Sequence, residues 1–292
     1  MNIPKMPRQP VSIRFTKRLN NCAGILRMTA VAWLAALLII AAPSIPSFAT
    51  PAPTNAVSNK KMVTVPAGPY QPFLKRQINK PIQVKAFRMD ETPVTNAEYL
   101  AFVKANPEWR KSKVNPLFAD KNYLTHWKSD LEIGPGKYNN PNAPVVNVSW
   151  FAARAYAKWV GKRLPTVPEW ERAGNGRPNN LGKKTLIAYI LEWYSKPNPA
   201  QLPPVKSTYQ NQYGLWDMHG LVWEWVFDFN SFVSSGDSRG ATADENQLFC
   251  AAGSLGVENK EDYAGYLRFS YRGSLKGKYC IPNLGFRCVK DL

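Results

Sequence analysis

The stretch Tyr213–Asn230, YGLWDMHGLVWEWVFDFN, sets three carboxylates among three tryptophans. Asp217, Glu224 and Asp228 alternate with Trp216, Trp223 and Trp225, and Gly214 and Gly220 punctuate the run. Tryptophans bury much apolar area. An acid placed among them must be solvated, hydrogen-bonded or bound to a cation. Two readings follow. The acids lie at the surface of a core aromatic turn, or Asp217 and Glu224 hold a hard cation together with backbone carbonyls between them. Calcium favours that mixture of carboxylate and carbonyl oxygens. Neither a helical nor a strand period fits, because the apolar run is nearly continuous and Gly220 breaks it. A tight buried loop running into a strand over Trp223–Phe229 is expected.

Other metal and redox chemistry is thinly supplied. Four cysteines are present; Cys22 lies in the N-terminal segment, leaving Cys250, Cys280 and Cys288. In an oxidising compartment an odd number suggests one disulfide and one unpaired thiol. There is no CxxC, and His126 and His219 are the only histidines, so a zinc or copper site of His/Cys type is not supported. The formal net charge is +18; six of the 38 Lys/Arg and none of the 20 acids fall in residues 1–49, so the rest keeps an excess of 12. Those bases are dispersed, without a Lys/Arg block or nucleic-acid motif. A solvated basic surface is expected rather than nucleic-acid binding, and an acidic partner or substrate stays open.

The N-terminus reads as an export signal. Met28–Ala42, MTAVAWLAALLIIAA, is an apolar run after a basic, acid-free segment, and Ser47 and Ala49 place small residues for cleavage after Ala49. The run is short for a spanning helix, although retention as an anchor is the alternative. Residues 1–49 are the signal peptide, 50–61 a flexible linker and 62–292 the body, in the periplasm or secreted. No stable membrane span is expected after cleavage.

The elements that must position the chemistry are short. With 25 prolines and 18 glycines, the class expected is α+β with long loops. Strands are expected over Met62–Pro66, Ile82–Arg88, Leu248–Val257, Leu267–Tyr271 and Gly285–Val289, and a strand or extended run over Ala143–Val148. Thr95 with Glu98, and Thr166 with Glu169, are capping boxes that open helices at Asn96–Lys104 and Val167–Ala173. Ser149 caps a helix over Trp150–Val160 that Gly161 stops, and Leu186–Tyr194 is a further helix. Residues 107–143 read as an irregular excursion.

Five phrases in order carry a resemblance: ETPVTNAEYLAFV (91–103), PVVNVSWFAARAYAKWVGKRLPTVPEWERA (144–173), GLWDMHGLVWEW (214–225), AGS (252–254) and NLGFRC (283–288). Together they resemble the formylglycine-generating enzyme, or sulfatase-modifying factor, superfamily. The resemblance runs from about Val63 to Cys288 and implies a single loop-rich α+β domain related to C-type lectins. The family's enzymes oxidise a substrate-protein cysteine to formylglycine with oxygen and copper held by two cysteines. Here the second of those positions falls at Ala264 and the first near Val257 or Asn259, and no cysteine lies between Cys250 and Cys280. Cu(I) wants soft ligands, so copper and the oxidase activity are not expected. A disulfide between Cys250 and Cys280 is the candidate pairing, since both flank the same C-terminal region; the resemblance matches Cys288 to a family cysteine whose partner position is Ala157.

The same resemblance implies a structural calcium held by Asp217, the carbonyls of Gly220 and Val222, and Glu224. It places a substrate groove near Trp223, Ser254, Arg272 and Asn283, the candidate catalytic residues, with Arg268, Arg272 and Arg287 adding positive charge or else pairing with Glu169, Glu224 or Asp228. Among the branches, a periplasmic pyoverdine-maturation branch also lacks the copper cysteines. The phrases FVKANPEWRKSKVNPLFAD and LFCAAGS…NLGFRC look most like a branch encoded beside copper nitrite reductases. The implied function is an exported accessory or maturation factor for a periplasmic protein, with a protein or peptide partner. The alternatives are an enzyme of different chemistry acting on a peptide or peptide-derived metabolite in the same groove, and a lectin-like binding module.

Overall fold

The computed structural model describes residues 53, 57, 59–70, 81–134, 140–179, 181–182, 184–230 and 260–292. These belong to one compact unit, Phe48–Leu292. In chain order its elements are strands β1 (Met62–Val65), β2 (Gly68–Tyr70), β3 (Ile82–Val84) and β4 (Phe87–Asp90), then helices α1 (Asn96–Ala105), α2 (Trp150–Trp159), α3 (Val167–Gly174) and α4 (Leu186–Ser195). After them come β5 (Trp223–Glu224), α5 (Lys260–Ser274), β6 (Leu284–Gly285) and β7 (Val289–Asp291). The expected α+β class with short elements is what the chain adopts.

A three-stranded antiparallel sheet, ordered β1-β4-β7, joins the two ends of the described chain; Met89 lies opposite both Val63 and Val289. β2 pairs antiparallel with β3, and β5 pairs parallel with β6, Trp223 opposite Leu284. The helices start where their caps direct. The Thr95 hydroxyl accepts the Glu98 N–H while the Glu98 carboxylate accepts the Thr95 N–H, and Thr166 and Glu169 repeat the arrangement at α3. The Ser149 hydroxyl accepts the Ala152 N–H at α2, and Gly161, at φ +68°, takes the left-handed turn that follows.

The core is aromatic. Tyr99 stacks on Tyr156 at 5.9 Å, Phe286 meets Tyr156 edge-on at 5.3 Å, and Phe102 meets Tyr156 at 5.6 Å. The Tyr99 and Tyr123 hydroxyls share a hydrogen bond of 2.7 Å, which satisfies both polar ends inside the core. Ala143–Val148 is an extended run in this core, where the Val145 N–H donates to the Val94 carbonyl and the Asn147 N–H to the Ile281 carbonyl.

Four sequence expectations need correction. Ile82–Arg88 is two strands split at Lys85-Ala86, which pair in different sheets. The strand after Trp223 stops at Glu224, and 227–230 form a turn. Gly285–Val289 is the end of β6 and the start of β7, with Phe286–Cys288 between them. Leu267–Tyr271 lies in α5. Its apolar alternation mimics a strand, but Arg268 and Arg272, four apart, both reach Glu171, and a helix sets residues four apart on one face. The expected strand Leu248–Val257 lies outside the described residues.

Candidate functional site

The opening stretch folds back on itself through protein hydrogen bonds. Asp217 is fully buried with a left-handed backbone, φ 57°. Its carboxylate accepts the N–H groups of Lys206 and Thr208 and the Thr208 hydroxyl. Gly220, at φ +100°, lies where a side chain would run into the Tyr189 hydroxyl, so glycine alone is accommodated. Glu224 points inward. Its carboxylate accepts two bonds from the Arg287 Nε, at 3.0 and 2.9 Å, and one from Nη2 at 2.8 Å. The Trp170 indole N–H adds a fourth at 2.7 Å. Asp228 caps α3, accepting the Val167 N–H at 2.7 Å, where a carboxylate complements the positive end of the helix. Each of the three acids thus has a protein partner.

Around β5 the residues expected at the groove come together in part. Trp223 is half-buried, with Tyr271 at 4.3 Å, Tyr194 stacked at 4.9 Å and 15°, and Trp193 at 5.3 Å. The Trp223 N–H donates to the Asn283 carbonyl, and the Asn283 amide donates to Asn198. Arg272 lies with its guanidinium 5.1 Å from the Trp170 ring. Ser254 lies outside the described residues, as do Val257, Asn259 and Cys250. Ala264 is buried on α5. Cys280 and Cys288 are buried free thiols.

Two arginines converge on one acid that the sequence reading did not single out. The buried Glu171 carboxylate receives Arg268 Nε at 3.0 Å and Arg272 Nη1 at 2.6 Å. These arginines therefore pair with Glu171 rather than with Glu169, Glu224 or Asp228, while Arg287 does take Glu224. Glu169 itself binds Arg163. Burial alone would raise the Glu171 pKa, but Arg268 and Arg272 outweigh it and hold the carboxyl from an ordinary 4.5 down to about 2. The available sequence signal was an acid between Trp170 and Ala173, two residues past the capping Glu169 and so turned off its face. His219 packs edge-on against Trp170 at 5.3 Å, and burial, with Arg268 nearby, pushes its pKa down to about 3. It is a neutral core residue. Among the described residues no three His, Cys, Asp or Glu side chains gather as a metal-binding group.

A family model, the sulfatase-modifying factor enzyme 1-like domain, matches residues 47–292. The chain belongs to that family. It is 29% identical to the formylglycine-generating enzyme of Streptomyces coelicolor over 308 aligned residues, covering 87% of this chain and 97% of that protein. It is also 29% identical to the inactive C-alpha-formylglycine-generating enzyme 2 of Bos taurus, covering 71% of this chain and 78% of that one. Among solved structures, PvdO from Pseudomonas aeruginosa is similar with a TM-score of 0.43 and 20% identity, covering 79% of this chain and 94% of that one.

The site therefore offers an aromatic wall beside two guanidiniums that share one carboxylate. Acid–base chemistry is poorly served among the described residues, because Glu171 and Glu224 are each pinned by arginine. Glu171→Gln is expected to cost about 3 kcal/mol, since it leaves two buried guanidiniums without their charge partner. The Glu171 contribution is present above pH 4.5 and is lost as pH falls through the folded value of about 2. The stability gap between wild type and Glu171→Gln, read by denaturant unfolding, should therefore narrow as pH falls from 4.5 towards 2.

Proposed function

We propose that this chain is an exported formylglycine-generating-like protein without the copper–cysteine oxidase site, acting as an accessory or maturation factor for a periplasmic protein. The observation that carries this reading is Ala264, at the position matched to the second copper cysteine and buried on α5 beside the Glu171–arginine cluster. The two described thiols are poor substitutes. Burial raises the Cys280 thiol to about 12 and raises Cys288 well above its ordinary range, whereas a soft metal needs thiolates. The relative named as inactive supports the idea that this scaffold serves without that oxidation. The resemblance of 102–120 and 248–288 to the nitrite-reductase-associated branch makes a copper nitrite reductase system the partner to test.

A second reading is an enzyme of different chemistry acting on a peptide or peptide-derived metabolite. It is favoured by the half-buried Trp223–Tyr271 wall with Arg272 and Asn283 beside it. Calcium is the ion the resemblance implies at the aromatic turn. An ion held by Asp217 and Glu224 would share Glu224 with Arg287 and Asp217 with two backbone amides. The donor set does not fit the ion well as arranged, and we take protein hydrogen bonds to hold the turn.

Three outcomes test these statements. Competition titration with a Cu(I) chelator should show no stoichiometric binding, and a cysteine-bearing peptide incubated with copper and oxygen should yield no aldehyde. Tight binding or an aldehyde product overturns the reading. Calcium at about 1 mM, enough to fill weak extracellular sites, should leave the Tm unchanged; a rise abolished by Asp217→Asn would restore the calcium site. Protein recovered from the periplasm should begin at Thr50, and retention of residues 1–49 would favour an anchored chain.

A further inference from the structure

Beside α2 the described surface carries an apolar ridge with a basic margin. The ridge begins at the turn 115–118, NPLF. Asn115 fixes that turn: its side-chain oxygen accepts the Leu117 N–H and its carbonyl accepts the Phe118 N–H, both at 2.9 Å. Held this way, Leu117 is 75% exposed and Phe118 43%. Contacts then continue the ridge without a gap. Phe118 meets Phe151 at 5.4 Å, Phe151 meets Trp150 at 5.3 Å, and Trp150 meets Phe227 at 6.1 Å. Phe227 is 45% exposed. Scattered apolar residues on a surface need no explanation, but a contiguous exposed patch does.

The margin is positively charged by contact and not only by composition. The Arg154 guanidinium lies over both Trp150, at 5.3 Å, and Phe227, at 5.7 Å. Lys276 and Lys278 flank Gly277, whose carbonyl accepts the Trp150 N–H and whose Cα faces the Phe151 ring. The Lys278 carbonyl accepts the Asp120 N–H, which sets Lys121 next to the same edge. All four bases are exposed. The acids nearby are fewer. The Asp120 carboxylate accepts the N–H groups of Asn122 and Cys280, Asp228 caps α3, and Glu108 stands next to Trp109.

We infer that this ridge is a peripheral contact for the surface of an anionic phospholipid bilayer. Leu117, Phe118 and Phe227 enter the boundary between headgroups and acyl chains, while Arg154, Lys276 and Lys278 meet lipid phosphates. Three observations favour a bilayer over an acidic protein surface. The most exposed member, Leu117, is a hydrocarbon side chain on a fixed turn, so it presents without an ordering cost. The Trp150 indole N–H is already spent on the Val226 carbonyl at 3.0 Å, leaving its apolar face for lipid. Lysines and an arginine with long stems beside aromatic rings are the composition of interfacial anchoring. The contact does not require a spanning segment, and among the described residues no helix is long and apolar enough to cross a membrane.

Vesicle co-sedimentation of the full chain tests this. Vesicles of phosphatidylcholine are compared with vesicles that also contain phosphatidylglycerol. Wild type should bind the anionic vesicles, and binding should fall as salt is raised. Leu117→Ser with Phe227→Ser, and separately Lys276→Glu with Lys278→Glu, should each weaken binding about tenfold with unchanged circular dichroism and Tm. Lys196→Glu, at the C-cap of α4 and remote in sequence from the ridge, should bind as wild type does. All variants share residues 28–42, so that apolar run cannot produce the difference between them. Equal binding by the ridge variants and wild type overturns the inference, as does equal binding to both vesicle types. Failure to bind anionic vesicles also overturns it and turns the ridge over to an acidic protein. The accessory reading survives each of these results, since it rests on Ala264 and not on the ridge.

Discussion

One ion pair, Arg287 with Glu224, ties together stretches that lie far apart in the chain. Both side chains are shut off from solvent. Beyond Glu224, the guanidinium reaches the carbonyls of Asp90, Glu91 and Trp216. It thereby joins the end of β4, the aromatic turn, β5 and the link between β6 and β7. Such a pair is costly to desolvate, and its Coulomb attraction repays the cost only when every donor and acceptor is filled. Here they are filled, with Trp170 of α3 completing the carboxylate. The pair fixes register more than it adds stability: β5 and β6 are only two residues each and could not hold their places by ladder bonds alone.

A second buried pair repeats the logic at the sheet. Lys162 binds Asp90, with both side chains nearly inaccessible, and Asp90 also accepts the Cys288 N–H. Glu171 with its two arginines is the third such cluster. All three lie at junctions between short elements, where apolar packing has little length to act on. An irregular chain of this kind is specified by directional polar contacts laid over an aromatic core, since burial of rings is strong but does not choose between registers.

The functional consequence is that the acids described around Trp223 are already paired. Asp217, Glu224 and Asp228, which the sequence also offers to a cation, are partners of arginine and backbone amides. Trp223 is sheltered by Trp193 and Tyr194 of α4. Among the described residues, an aromatic wall with Arg272 at its border is left to face a ligand. That suits recognition better than acid–base chemistry among the described residues.

Local features were legible in the sequence because their causes are local. Both capping boxes, the Ser149 cap and the Gly161 stop depend on residues three or four apart, and each formed where the sequence places it. The order of the five phrases and the lack of a cysteine between Cys250 and Cys280 are likewise facts of the chain itself. What only the tertiary structure decided was the partner of each buried charge. From the sequence Glu224 could meet a cation or an arginine; in the folded chain Arg287, 63 residues away, binds it. The stretch Leu267–Tyr271 alternates like a strand, yet Glu171, about a hundred residues earlier, draws Arg268 and Arg272 to one helical face. A buried charge takes whichever opposite charge the folded chain brings within hydrogen-bond reach, and no local pattern encodes that distance.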